Sequence, residues 1–269
     1  MNKILLIGCG HMGSALLQAW LQQKNIYFDV VDPLNYKKIN KKKYNKVKAY
    51  KSLLDIKDIS SIDIVIFATK PQITPLVLKE LSFFNFNKKT IFVSIVAGLK
   101  ISFFNKFLKN NNQFIRVMPN MPVLINKGMS CLIARKNVTV KNKNKINSLF
   151  LKIGKTLWLS NENDINLVTA ISGSGPGYVF LVVDAFEKAA LKFGLTEKNS
   201  RELVYQTFIG SIGLLLKDNN SALKLAQNIA VSGGTTEAAF KIFLDKKILH
   251  RTFEKAVKAA YKKSIKLSK

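Results

Sequence analysis

The sequence predicts an α/β chain, with an N-terminal doubly wound parallel sheet followed by an all-helical domain. Three observations predict it. Short apolar runs alternate with helical patterns as far as about residue 159, as expected of strand–helix–strand units building a parallel sheet. The first run passes directly into a glycine-rich turn and a helix. After residue 160 there is no strand candidate of any length. The domains expected on this reading are 1–160 and 161–269.

The first element is the one around which the rest is organised. Ile4 to Ile7 reads as a buried strand. Gly8-Cys9-Gly10-His11-Met12-Gly13 follows with the spacing G-x-G-x-x-G, and Met12, Ala15, Leu16, Ala19 and Trp20 mark a helix. Strand, glycine turn and helix in this order form the phosphate-binding corner of a Rossmann-type dinucleotide fold, where the amides at the helix N-terminus face a pyrophosphate. Tyr27 to Val31 is the second strand. Asp32, next to Pro33, stands where an acidic residue meets the adenosine ribose hydroxyls; its plainer reading is a turn residue before proline.

Residues 35–46 read as a solvated loop with a short helix, and Val47 to Tyr50 as a weak strand. Asp63 to Thr69, Thr90 to Val96 and Phe114 to Val117 are further strands, separated by helices at about 72–84 and 100–108. Met129 to Ala134, a helix at about 139–153 and Lys155 to Leu159 complete the sheet. Open sheets of this kind bind ligands beyond the carboxyl ends of their strands. Asp32, Lys70, Ala97 and Asn120 all fall at such ends.

In the second half, Asn163 to Ile171 reads as a helix interrupted by Ser172-Gly-Ser-Gly-Pro-Gly177. Tyr178 to Val183 is apolar at every position. A helix apolar on all sides must be covered on all sides, and a helical domain of about 100 residues has little room to do this without a partner chain. Gly194 stops this helix and Thr196 caps the next, about 197–217; Ser221 caps a short helix to Ile229. Val231-Ser-Gly-Gly-Thr-Thr236 opens another helix, and a last amphipathic one runs from about Leu249 towards Lys266.

Composition narrows the function classes. The net charge is +27, which raises the question of a nucleic-acid partner. Yet nearly all of it is Lys, travelling with Asn and Ile as in Asn35 to Lys46, and the arginines are only Arg116, Arg135, Arg201 and Arg251. Arg is the better bidentate reader of phosphates and bases, so the charge reads as compositional drift and no nucleic-acid partner is expected. No apolar run reaches the roughly 20 residues of a membrane span. The N-terminus enters a strand with no room for a signal peptide, and Cys9 and Cys131 cannot build a disulfide framework. A cytoplasmic setting is expected. His11 and His250 are the only histidines, neither at a ligand spacing from a cysteine, so no metal site is expected.

The glycine turns of the helical half carry the chemistry. Each has a plain reading as helix punctuation. The functional reading is an anion nest, with successive amides at a helix N-terminus holding a carboxylate or phosphate; in Gly233-Gly234-Thr235-Thr236 two hydroxyls join them. A dinucleotide domain with such a nest implies a reductase or dehydrogenase for a small carboxylate.

Six stretches carry a resemblance that covers essentially the whole chain: IGCGHMG (7–13), ATKPQ (68–72), SIVAGL (94–99), RVMPNMP (116–122), SGSGPGYVF (172–180) and SGGTTEA (232–238). In order and spacing the chain resembles the pyrroline-5-carboxylate reductases. The resemblance implies reduction of 1-pyrroline-5-carboxylate to L-proline with NADPH or NADH, the last step of proline synthesis, in a homodimer or higher homo-oligomer interlocked through the helical domain. By position it implies that Gly8, Gly10, His11, Met12 and Gly13 cradle the pyrophosphate. Ala68, Lys70, Pro71, Ala97 and Asn120 line the nicotinamide side. Ser232, Gly233, Gly234, Thr235 and Thr236 hold substrate, with the Thr236 hydroxyl beside the ring nitrogen as the catalytic group. A helix N-cap is the plain alternative for Thr236. Two departures stand out: Val231-Ser232 replace the family's Ser-Pro, so the carboxylate contact of the family's Ser is lost unless Ser232 replaces it, and Gly177 replaces a usual Ala.

Two rivals are weighed. A β-hydroxyacid dehydrogenase shares the architecture but resembles this chain less, since its catalytic Lys after the second glycine turn has no counterpart in Tyr178 to Ala185. A nucleotide sensor or nucleic-acid binder would bind cofactor or polyanion without substrate-dependent oxidation.

Overall fold

The computed structural model describes residues 2–108 and 113–268. They form two compact units: one runs to Ser174 and takes in the segment from Ala260 onward, the other is Gly175–Ala259. The boundary between these compact units falls after the Ser172-Gly-Ser turn, and the C-terminal segment from Ala260 belongs to the first unit.

The first unit is built on β1 (Asn2–Ile7), α1 (His11–Leu21), β2 (Ile26–Val31), α2 (Tyr36–Lys41), β3 (Val47–Tyr50) and β4 (Ile64–Phe67). It continues with α3 (Thr74–Leu81), β5 (Ile91–Ser94), α4 (Ile101–Asn105), β6 (Gln113–Met118), β7 (Gly128–Ala134), α5 (Val140–Leu151) and β8 (Gly154–Trp158). The eight strands lie in the order β3-β2-β1-β4-β5-β6-β7-β8. Alternation along each strand feeds two cores. Ile4, Leu6, Phe28, Val30, Ile64 and Ile66 face Leu16 and Trp20 of α1 and Ile146 and Phe150 of α5. Leu5, Ile7, Val65, Phe67 and Phe92 face Leu78 and Leu81 of α3 and Phe104 of α4. Helices on both faces make the sheet doubly wound. The Trp20 indole, fully buried, donates to the Leu149 carbonyl at 3.0 Å and so joins α1 to α5.

One expectation is corrected. The sheet is not parallel throughout, because β7 runs antiparallel to β6 and parallel to β8. Between β6 and β7 the chain makes only a 3-10 turn, Met121–Ile125, and a parallel crossover takes about a dozen residues or more.

The unit continues through α6 (Asp164–Val168), which passes into a π turn at Thr169–Gly173. The second unit begins with α7 (Gly175–Lys192), α8 (Glu197–Lys217), α9 (Ala222–Ile229) and α10 (Thr235–Leu244), and holds most of α11 (Ile248–Leu267). Gly194 turns at φ +95°. Thr196 and Ser221 cap α8 and α9, accepting from Asn199 and Lys224 at 3.3 and 3.2 Å. Across α7 to α11 the buried residues are only Ser200 and Val204. Within the Tyr178–Val183 stretch, Val179 to Val182 are exposed in the single chain, Phe180 at 68% and Leu181 at 70%, while Tyr178 and Val183 are half-buried. By length and composition alone, the stretch Asp164–Lys192 is long and apolar enough to cross a membrane.

Candidate active site

The parallel strands bring the expected cofactor residues of the first unit to one edge. Asp32 follows β2, Ala68 to Pro71 follow β4, Ala97 follows β5 and Asn120 follows β6. Gly8 turns the chain from β1 at φ +92°, and a Cβ there would lie 2.7 Å from the Ala68 carbonyl oxygen, so only glycine fits. A Cβ on Gly13 would run into the Gly8 carbonyl. At Gly10 a Cβ would meet nothing within 4 Å. Gly10 is the N-cap of α1 and no side chain caps this helix. Its first amides therefore have no side-chain cap, next to exposed His11, the arrangement that receives a phosphate. The cradle fits the pyrophosphate of a dinucleotide.

Asp32 is 7% exposed and tied into this cradle. Its Oδ2 accepts the Cys9 N–H at 2.7 Å, and its Oδ1 those of Leu34 and Asn35 at 3.0 and 2.9 Å. The sequence reading placed Asp32 at the ribose; the bonds it makes within the chain fix the glycine loop to the turn after β2. Cys9, between the glycines, is buried, and burial together with the Asp32 charge pushes its thiol from 9.0 up to about 11.

At the ends of β4 and β5, Lys70 and Ala97 are exposed. The Lys70 carbonyl accepts from the Thr74 amide and hydroxyl at 3.2 and 3.0 Å, and Thr69 and Thr74 share a hydroxyl hydrogen bond of 2.8 Å. Pro71 stands in the turn entering α3. The Asn120 carboxamide is committed at both ends, donating to the Ser172 carbonyl at 2.9 Å and accepting from the Met129 amide at 2.8 Å. It holds the β6–β7 connection against the π turn. π turns of this kind are frequent at functional sites.

Sequence reasoning missed a group beneath these loops. Arg116, 2% exposed on β6, donates to Glu162 Oε1 at 2.9 Å, and the same oxygen accepts the Ile101 amide at 2.7 Å. Burial lowers the guanidinium pKa, opposed by the Glu162 carboxylate. Glu162 is 46 residues from its partner, a separation that leaves no local sequence signal.

In the second unit, Gly233 turns at φ +74° and its amide donates to Glu237 Oε2 at 2.9 Å; the Gly234 amide donates to the Val231 carbonyl at 3.0 Å. Gly234 is the N-cap of α10, without a side-chain cap. Of the Gly233-Gly234-Thr235-Thr236 nest expected from sequence, the two glycine amides are thus engaged, and the amides without a hydrogen-bond partner are those of Thr235, Thr236 and Glu237. Thr236 occupies the second helical position, so the N-cap alternative for it falls. Ser232 is exposed at the start of the turn. Glu237 was not foreseen; its signal is a carboxylate four residues after a turn glycine.

One polar feature stands apart from this edge. A cavity of about 390 Å³ near the amino ends of β1, β2 and β4 is lined by Lys3, Tyr27, Asp29, Lys48, Tyr50 and Asp63. It is braced by the Lys3–Asp29 ion pair at 3.1 Å. Among the described residues no cluster of three His, Cys, Asp or Glu side chains is placed to hold a metal ion.

A glycine cradle at the first helix of a doubly wound sheet, with a separate helical unit presenting an uncapped Gly-Gly-Thr-Thr turn, defines a two-domain nicotinamide-dependent oxidoreductase. Residues 162–267 match the family model for pyrroline-5-carboxylate reductase dimerisation, and residues 3–98 that for NADP oxidoreductase, coenzyme F420-dependent. The chain is 32% identical over 264 residues to a pyrroline-5-carboxylate reductase of Haemophilus influenzae, covering 97% of this chain and 96% of that one. Among solved structures it resembles Plasmodium falciparum pyrroline carboxylate reductase with NADP bound, at TM-score 0.87 and 29% identity, covering 100% and 98% of the two chains. The Coxiella burnetii pyrroline-5-carboxylate reductase is equally similar, at TM-score 0.87 and 29% identity over 100% and 99%. The chain belongs to the pyrroline-5-carboxylate reductase family.

Proposed function

We infer that this chain reduces 1-pyrroline-5-carboxylate to L-proline with NADPH or NADH. The observation that carries the reading is the uncapped start of α10 in a chain of this family: free amides at Thr235 and Thr236 with two hydroxyls and no competing side-chain cap. The substrate is a cyclic imine bearing one carboxylate. A reduced nicotinamide, when bound, supplies the hydride. The amides of Gly10, His11, Met12 and Gly13 hold its pyrophosphate, and Ala68, Lys70, Pro71, Ala97 and Asn120 form the wall beside the ring.

What the chain does for the second reactant is positioning. The Thr235 and Thr236 amides fix the carboxylate, with the positive end of the α10 dipole behind them. The Thr236 hydroxyl orients the ring nitrogen. That nitrogen takes its proton from water near neutral pH, so no strong protein acid is needed. Holding two reactants in attack geometry can itself remove several kcal/mol of barrier.

The working form is a homodimer or larger homo-oligomer of the cytoplasm, with neither nucleic acid nor a membrane as partner. The uncovered apolar face of α7 supports assembly, since large exposed apolar patches mark interaction surfaces. The test is oxidation of NADPH and of NADH by the purified chain with and without 1-pyrroline-5-carboxylate. The expected result is oxidation that requires the substrate and yields one proline per cofactor. Cofactor binding without substrate-dependent oxidation would instead favour a nucleotide-sensing protein.

A further inference from the structure

We propose that the last turn of α11 is a positioning element for the Ala97-Gly98-Leu99 loop of the cofactor site. Gly98 turns at φ +80°, and a Cβ on it would lie 2.5 Å from the Leu267 carbonyl oxygen. The loop backbone is thus seated directly on the backbone of α11. That contact is itself anchored. The Ser264 hydroxyl donates to Asn166 Oδ1 at 2.8 Å, and the Ser268 hydroxyl lies 2.8 Å from both Asn166 Oδ1 and the Ser264 carbonyl oxygen, which share its one proton. Asn166, on α6, is 7% exposed.

The same helix closes the circuit from its other end. Glu162, just before α6, accepts the Ile101 amide at the loop's exit and the Arg116 guanidinium beneath it. The loop's entrance is held by the Ile95 amide on the Phe67 carbonyl at 3.0 Å and the Val96 amide on Ser94 Oγ at 3.2 Å. Both ends of the loop are therefore pinned to the sheet and α6. Its middle, where Ala97 is exposed, rests on Leu267. Two serines four residues apart fall on one side of a helix, and here both meet one buried amide oxygen. The arrangement holds the end of the chain in register against a loop that would otherwise be free to move.

The inference rests on the reading above that Ala97 lies beside the nicotinamide. If so, the C-terminal segment sets where the ring can lie, and loosening it weakens cofactor binding before it affects the carboxylate turn. The test compares the full-length chain with S264A/S268A, which removes both bonds to Asn166 while keeping good helix formers, and with S264T/S268T, which keeps the hydroxyls. Four quantities are read: the NADPH dissociation constant by cofactor fluorescence, the two KM values, hydrogen exchange at residues 97–101, and sedimentation. Loss of the brace is expected to raise the NADPH dissociation constant and KM about fivefold, since small misplacements near a site are costly. Loop exchange should accelerate, while the substrate KM changes less than about twofold and assembly is intact. The Thr pair should restore the wild-type values.

Faster loop exchange with unchanged NADPH binding would make the contact structural only and overturn the proposal. Unchanged exchange would do so as well. If the double variant does not fold, S264A alone, which keeps the Ser268 bond, is judged by the same outcomes. Should the wild-type chain bind NADPH without reducing the imine, the proposed reaction fails, while the binding and exchange measurements still decide the brace.

Discussion

Asp32 and Cys9 hold the glycine loop between them: the Cys9 amide donates to Asp32 Oδ2 at 2.7 Å, and the carboxylate's other oxygen takes the amides of Leu34 and Asn35. A carboxylate committed to three backbone donors ties the glycine loop to the turn after β2. In D32S the loop loses its tie, so kcat/KM for NADPH and for NADH should fall together, with their ratio changing less than about threefold. A ratio that moves tenfold or more towards NADPH would return Asp32 to the ribose-reading role, because a carboxylate there disfavours a 2′-phosphate.

Cys9 sets a limit on stability at high pH. Its folded pKa is raised to about 11 from an ordinary value of 9.0, by burial first and then by Asp32. The unfolded thiol ionises at lower pH than the folded one, so the contribution is full below pH 9 and is lost as pH rises towards 11. Urea unfolding at stepped pH should show a decline across that window that is reduced in C9A. The native thiol should also resist alkylation at neutral pH, since the thiolate is the reactive form. Alkylation at the rate of an unfolded control would contradict this.

Much of the fold was legible because buried strands write themselves as apolar runs. Ile64–Phe67 and Ile91–Ser94 lie inside the expected strands, and Thr196 and Ser221 cap the helices they were expected to cap. The direction of β7 was harder to read, because it depends on the length and path of the connection rather than on the strand's own residues. Glycine spacing located the cradle and the α10 turn. It could not tell which amides remain free, since that depends on Glu237 and Val231 claiming those of Gly233 and Gly234. Nor could it reveal Arg116 with Glu162, or Asn166 with Ser264, pairs joined only by the folded chain.

Thr236 separates substrate contact from helix stability. It sits inside α10 behind an N-cap glycine, so T236A should cost well under the ~1 kcal/mol of a lost cap. As a substrate contact its loss should lower kcat/KM for 1-pyrroline-5-carboxylate about tenfold or more, roughly 1.4 kcal/mol of transition-state binding. T236S should keep most activity. Unchanged kinetics in T236A would remove Thr236 from the site.

The apolar face of α7 predicts assembly. Val182 is 41% exposed beside Phe180 and Leu181. An arginine there should weaken self-association by placing a charge in an apolar interface. V182R should sediment as a smaller species than wild type at micromolar concentration, or fall in activity on dilution. A fully active wild-type monomer under those conditions would contradict the account.

Direct transfer of hydride from cofactor to imine carbon is the central claim, and isotope tracing tests it most directly. The purified chain is given 1-pyrroline-5-carboxylate with NADPH carrying deuterium in either the pro-R or the pro-S position at C4, and the proline formed is examined by mass and NMR. The account predicts proline with a single deuterium, at the former imine carbon C5, from one labelled cofactor and none from the other. Unlabelled proline from both cofactors, or cofactor oxidation with no proline, would contradict it.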